Sequence, residues 1–177
     1  MTNWNPGRPD VSEYPPYASI YVNLVPDSDI LGLLASQVED TVALLQPIDE
    51  HRASEMRYAP GKWTVKQILG HVVDTERVFT YRALRTARGD ATPMPGFEQD
   101  DYVRLGPFEH CSLADLLDEY RIVRAASIAL YSKLTPESWM RKGVANRFPV
   151  TVRGLAYLTA GHELHHLKIL REKYLAC

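Results

Sequence analysis

The sequence predicts an all-α protein: a four-helix bundle preceded by an irregular N-terminal arm. Three observations carry that reading. Four long segments repeat apolar residues at helical spacing, and each is bounded by a cap or a breaker. No run alternates apolar and polar residues in the manner of a half-buried strand, so no sheet is expected.

Residues 1–27 are rich in Pro, Tyr and Asn and read as an arm without a long helix, whose aromatics Trp4, Tyr14, Tyr17 and Tyr21 can pack on the body. Residues 28–177 read as a single bundle domain, large enough to bury a core. The first long helix opens at Asp27, Ser28 or Asp29, any of which can cap it. It then repeats Ile30, Leu33, Leu34, Val38, Thr41, Leu44 and Leu45 until Pro47 breaks it. The second follows Thr64, with Gln67 completing a capping box, and runs free of Gly and Pro from Val72 to Arg88, where Gly89 stops it. Residues 90–111 hold Pro93, Pro95 and Pro107 with Gly96 and Gly106, and read as a long loop of the kind that often carries function. Ser112 caps the third helix with Asp115 in its first turn, and Thr135–Pro136 starts a short one. The last helix spans about 151–173.

Composition narrows the function. A net charge of −2 offers no basic face for nucleic acid. No apolar stretch approaches the roughly 20 residues that span a bilayer, and the N-terminus lacks the pattern of a secretory signal. Cys111 and Cys177 have neither disulfide-framework nor zinc-site spacing, which suits a reducing, cytoplasmic setting.

The chemistry concentrates in "GHELHH". His162 and His166 lie about 40° apart on one helix face, in line with Leu155, Thr159 and Ile169, and two neutral imidazoles so placed can share one ion. Two His packed by their rings explain the spacing equally well. His165 is offset towards the edge of that stripe, and Glu163 lies about 100° from His162, either at the site edge as a candidate catalytic residue or in solvent. On the second helix the apolar face is Val65, Ile68, Val72, Phe79 and Ala83. His71 stands at its margin on a strip with Thr64, Gln67, Asp74, Thr75, Val78 and Arg82. Such a strip lines a wet cleft or is merely a solvated edge. If it lines a cleft, His71 completes a three-histidine set with open coordination positions, the arrangement of catalytic metal sites.

His162-Glu163-x-x-His166 also fits the H-E-x-x-H motif of zinc proteases. The segment "LKILREKYLAC" brings no G-x-x-H extension, Glu172 turns away from the pair, and no sheet edge is predicted to hold a peptide. The protease reading therefore lacks its third ligand.

Together, "YASIYVNLVP", "RYAPGKWTVKQILGHVVDTERVFTYRALRTARGDATPMPGF" and "AYLTAGHELHHLKILREKYL" make the chain resemble the DinB/YfiT-like family over most of its length. The resemblance implies a four-helix bundle, often a homodimer, with a divalent metal such as zinc or nickel held by three His. The matching positions are His71, His162 and His166, with Asp74, Glu76 and Arg82 as cleft candidates; surface charges pairing along a helix would look the same. Family members with known activity use low-molecular-weight thiols such as bacillithiol or mycothiol, which implies a thiol co-substrate and S-transferase-like chemistry on a small molecule. Metal-dependent hydrolysis and a non-catalytic metal-binding role in stress response are the alternatives.

Overall fold

The computed structural model describes residues 5–176; Trp4 and Cys177 lie outside them. In chain order the helices are α1 (Ser19–Val22), α2 (Ile30–Leu45), α3 (Glu50–Glu55), α4 (Val65–Ala87), α5 (Gln99–Leu105), α6 (Leu113–Tyr131), α7 (Pro136–Trp139) and α8 (Val152–Ile169). Strands β1 (Lys142–Ala145) and β2 (Phe148–Thr151) precede α8, which Leu170–Tyr174 prolongs as a π-helical turn. The bundle is α2, α4, α6 and α8: α4 packs on α6 and α8, and α2 lies against the same two.

The expected caps close these helices. Asp29 is the residue that caps α2, accepting from the amides of Leu31 and Gly32. Thr64 and Gln67 exchange side-chain and backbone hydrogen bonds at 3.1 and 2.9 Å, and Ser112 and Asp115 do the same for α6. Thr151 accepts from Gly154 N at 3.0 Å to start α8. Each such cap contributes about 1 kcal/mol and, more to the point here, fixes where a helix begins and so which way its faces look.

The expectation of no sheet is corrected by a small antiparallel hairpin in which Lys142 pairs with Thr151 and Ala145 with Phe148. Its strands are four residues each, one contains Pro149, and the turn is Asn-Arg rather than a glycine-bearing pair, so no periodic signal reaches the sequence. Asn146 and Arg147 both take positive φ, 49° and 70°, the conformation of a two-residue turn of type I′. The long loop is likewise less irregular than expected: it contains α5, and Met94 bridges to Ala145 beside the hairpin.

Polar residues divide the core into two apolar clusters. Along α2, Gln37 and Thr41 stand between Leu34 in one cluster and Leu45 in the other; along α6, Arg124 and Ser127 stand between Val123 and Tyr131. On α8 the polar band comprises His162, Glu163 and His166, between Ala160 and Leu167. All of these side chains are buried, so the bundle has a polar waist.

The arm has no long helix, as expected, and Tyr14, Ala18, Val22 and Val25 belong to the first cluster. Glu13 anchors it, accepting from Thr151 Oγ1 and Arg153 Nε at 2.7 Å each. Two glycines on α8 let the arm lie this close. A Cβ at Gly154 would stand 2.5 Å from the carbonyl oxygen of Glu13, and one at Gly161 only 2.2 Å from that of Tyr21. Tyr21 is thereby set edge-on to His162 and His165, at ring distances of 5.4 and 5.2 Å.

Candidate metal centre

At the waist, α4 and α8 bring His71, His162 and His166 together. The three are buried and their ligating nitrogens all lie within 4.8 Å of one another. Nε2 of His162 is 3.0 Å from Nε2 of His71 and 3.1 Å from Nε2 of His166. A tetrahedral zinc ion with bonds of about 2.0–2.1 Å holds its nitrogens about 3.3 Å apart, so both the spacing and the donor type fit a divalent ion. Thr75 Oγ1, one turn beyond His71, lies 3.4 Å from its Nδ1, a contact that orients the ring with Nε2 inward.

Burial keeps the three rings in the ligand form. It lowers the pKa of His71 from 6.5 to about 4; at His166 burial and the neighbouring imidazoles lower it to about 3, and they hold His162 well below its ordinary value. Neutral imidazoles with converging lone pairs need no proton release at pH 7 to take a cation.

Two cavities reach this centre. One of about 380 Å³ is bounded by His166, Trp63, Lys62, Tyr58 and Tyr174. The other, about 270 Å³, exposes His71 and His162 and extends past Thr75 and Phe79 to Arg82, Phe97 and Asn146. Gln99, at the start of α5, borders both, so the long loop does line the site region.

Of the other residues expected at the site, Arg82 is in the second cavity, buried and with its pKa lowered by burial. Asp74 is half-buried, pairs with Arg77 at 3.3 Å and borders neither cavity; burial raises its pKa. Glu76 and Glu163 are corrected in position: neither is at a cleft edge or in solvent. Glu163 accepts from Thr41 Oγ1 at 2.5 Å, Tyr120 OH at 2.6 Å and Arg124 Nη2 at 2.5 Å, while Arg124 forks onto Glu76 at 2.8 and 2.9 Å. The one-residue step from His162 turns Glu163 to the other side of α8. Burial raises the Glu163 pKa, only partly offset by Arg124. The guanidinium stays above its usual range because Glu163 and Glu76 outweigh the burial that acts against its charge. His165 is half-buried and outside the cluster; His51 and His110 are exposed. Arg124 was missed by sequence reasoning, although a signal existed: it is a charge on the stripe Leu117, Tyr120, Ser127 and Tyr131, all of them buried.

A helix bundle with an inward three-histidine cluster at its waist is a scaffold able to hold a divalent metal ion. The chain belongs to the DinB superfamily, whose family model matches residues 28–170. Among solved structures it is similar to YfiT from Bacillus subtilis, described as a probable metal-dependent hydrolase with an unusual four-helix bundle topology. That likeness has a TM-score of 0.69 and 15% identity, and covers 92% of this chain and 91% of that one. It is also similar to a mycothiol-dependent maleylpyruvate isomerase, with a TM-score of 0.67, 13% identity, and coverage of 82% of this chain and 61% of that longer one. At these identities the likeness shows the fold. A comparison with the curated proteins found no match. Among the described residues no helix is long and apolar enough to cross a membrane.

Proposed function

We propose that this protein is a divalent-metal-dependent enzyme on a small molecule, with zinc or nickel held by His71, His162 and His166 and a low-molecular-weight thiol as co-substrate in an S-transferase-like reaction. The observation that carries the reading is the convergence of three buried, neutral imidazoles at the meeting of two cavities. Three protein ligands are what catalytic sites keep, whereas structural sites close all four positions. A divalent ion bound there supplies Lewis-acid chemistry, lowering the pKa of a thiol or a water beside it. The chain's own part is to hold the ligand rings neutral, orient His71 through Thr75, and exclude bulk water with Tyr21 and Trp63, whose rings stand against His162 and His71. The mycothiol dependence of one structural neighbour supports a thiol, and the description of YfiT supports metal-dependent hydrolysis as the second reading. A homodimer in the cytoplasm belongs to the same proposal, with sedimentation velocity as the check on pairing.

The test is metal per chain in the purified, untagged protein and in His71→Ala, followed by assays of the metal-loaded form. Near one equivalent in the wild type and little in the variant is expected. Conjugation of mycothiol or bacillithiol to a chromogenic electrophile supports transfer, and cleavage of ester or amide substrates alone supports the second reading. Full loading with neither activity points to the non-catalytic metal-binding role.

A further inference from the structure

Arg82 has no carboxylate partner among the described residues, although it is only 7% exposed. Its Nη2 donates to the carbonyl oxygen of Pro95 at 2.6 Å, and its guanidinium carbon lies 5.8 Å from the centre of the Phe97 ring. Arg82 and Phe97 both line the cavity that His71 and His162 border. Arg124, the other deeply buried arginine, has every nitrogen engaged by protein acceptors. A buried cation without a counter-charge is costly unless something else pairs with it.

The surroundings of Arg82 are those of a built subsite. Asn146 takes its left-handed φ of 49° as the first residue of the hairpin turn, and it lines the same cavity. The position is tightly set: Asn146 N donates to Met94 O at 2.9 Å, and a Cβ on Gly96 would fall 2.5 Å from Asn146 Oδ1. The side-chain amide of Asn146 also reaches Tyr17 OH at 3.4 Å. A guanidinium fork, an amide and a phenol at one end of a cavity supply the donors that a planar carboxylate accepts. The fixed charges lining this cavity are Arg82 and the exposed Glu98, so it offers one positive charge and suits a carboxylate better than a doubly charged phosphate.

The other end of the cavity is the histidine cluster. Arg82 follows His71 by three helical turns on the same face of α4, a rise of about 16 Å, and side chains on a helix lean towards its N-terminus, bringing the guanidinium back towards His71. We infer that Arg82, with Asn146, is a specificity subsite for the carboxylate of a small acidic substrate whose reacting end lies at His71 and His162. This inference rests on the metal-dependent reading above for its reacting end alone.

The test uses cobalt-loaded protein, in which thiolate binding is read from its charge-transfer absorption. Titration with 6-mercaptohexanoate is set beside 6-mercaptohexanol, with the three- and eight-carbon acids bracketing the length. The acid is expected to bind about 10- to 100-fold more tightly than the alcohol in the wild type and equally in Arg82→Gln, at unchanged cobalt per chain. Arg82→Lys keeps the charge without the fork and retains part of the preference, which decides the matter should Arg82→Gln fail to fold. No preference in the wild type, or a preference that survives Arg82→Gln, overturns the inference. If no thiol gives a cobalt band, the thiol reading fails by itself. Hexanoate titrated by calorimetry into wild type and Arg82→Gln then decides the subsite: binding by the wild type alone supports it, and equal or absent binding removes it.

Discussion

His162 and Glu163 are neighbours in sequence, buried alike, and belong to two polar centres of opposite kind. The Glu163 centre is closed: Thr41, Tyr120 and Arg124 saturate its carboxylate, and Arg124 in turn is taken up by Glu76 and by the Leu34 carbonyl oxygen. The His162 centre is open: three nitrogens of the same kind face one another, and cavities lie beside them. Burial of polar atoms therefore does not by itself mark a binding site. What separates the two is whether the protein supplies the partners.

The largest expected effect falls on the closed centre. Arg124→Met strands two buried carboxyl groups and should cost about 3–5 kcal/mol of stability in urea unfolding. Replacing Arg124, Glu76 and Glu163 together by apolar residues of similar volume should cost much less, because nothing is left unpaired. The open centre should behave in reverse. His71→Ala is expected to abolish stoichiometric metal binding by elemental analysis while the metal-free protein still folds, destabilised by about 1–3 kcal/mol through loss of the buried ring and its contacts with Thr75 and Trp63. Retention of metal by that variant would place the ion on α8 alone.

Acid sharpens the contrast. The unfolded state takes up protons near pH 6.5, but His71 and His166 resist them down to about 4 and about 3. Stability of the metal-free protein thus rises with pH across that window and levels off above it. Thermal melts of the metal-free protein should weaken as pH falls from 6.5 towards 4, and weaken less when both His are replaced by Ala. Smaller still, Thr75→Val should lower metal affinity by about tenfold through the loss of its hold on His71, read by competition with a chelating dye. Last, His165→Ala should leave metal content near wild type, where His166→Ala does not.

The helices were legible because caps and periodicity are local: Thr64 with Gln67 and Ser112 with Asp115 announce their own turns. The histidine cluster was legible because His162 and His166 share one helix face, His71 stands on a polar strip of the second helix, and the family pattern matches the same three positions. The roles of Glu76 and Glu163 were not, since their partner Arg124 is 48 and 39 residues away and only packing of α4, α6 and α8 brings them together. The hairpin escaped because its positive-φ turn is carried by Asn146 and Arg147, neither of them glycine.

Gly154 and Gly161 have a consequence for how such a site can diversify. Both positions admit the arm by lacking a single carbon, and Tyr21, which that close approach sets against His162 and His165, forms part of one cavity wall. Gly161→Ala would push the Tyr21 backbone outward without touching a ligand residue. A one-carbon change beside His162, at a position that is not itself a ligand, is thus a short mutational path to a wider entrance, so the substrate range can drift while the metal chemistry stays in place.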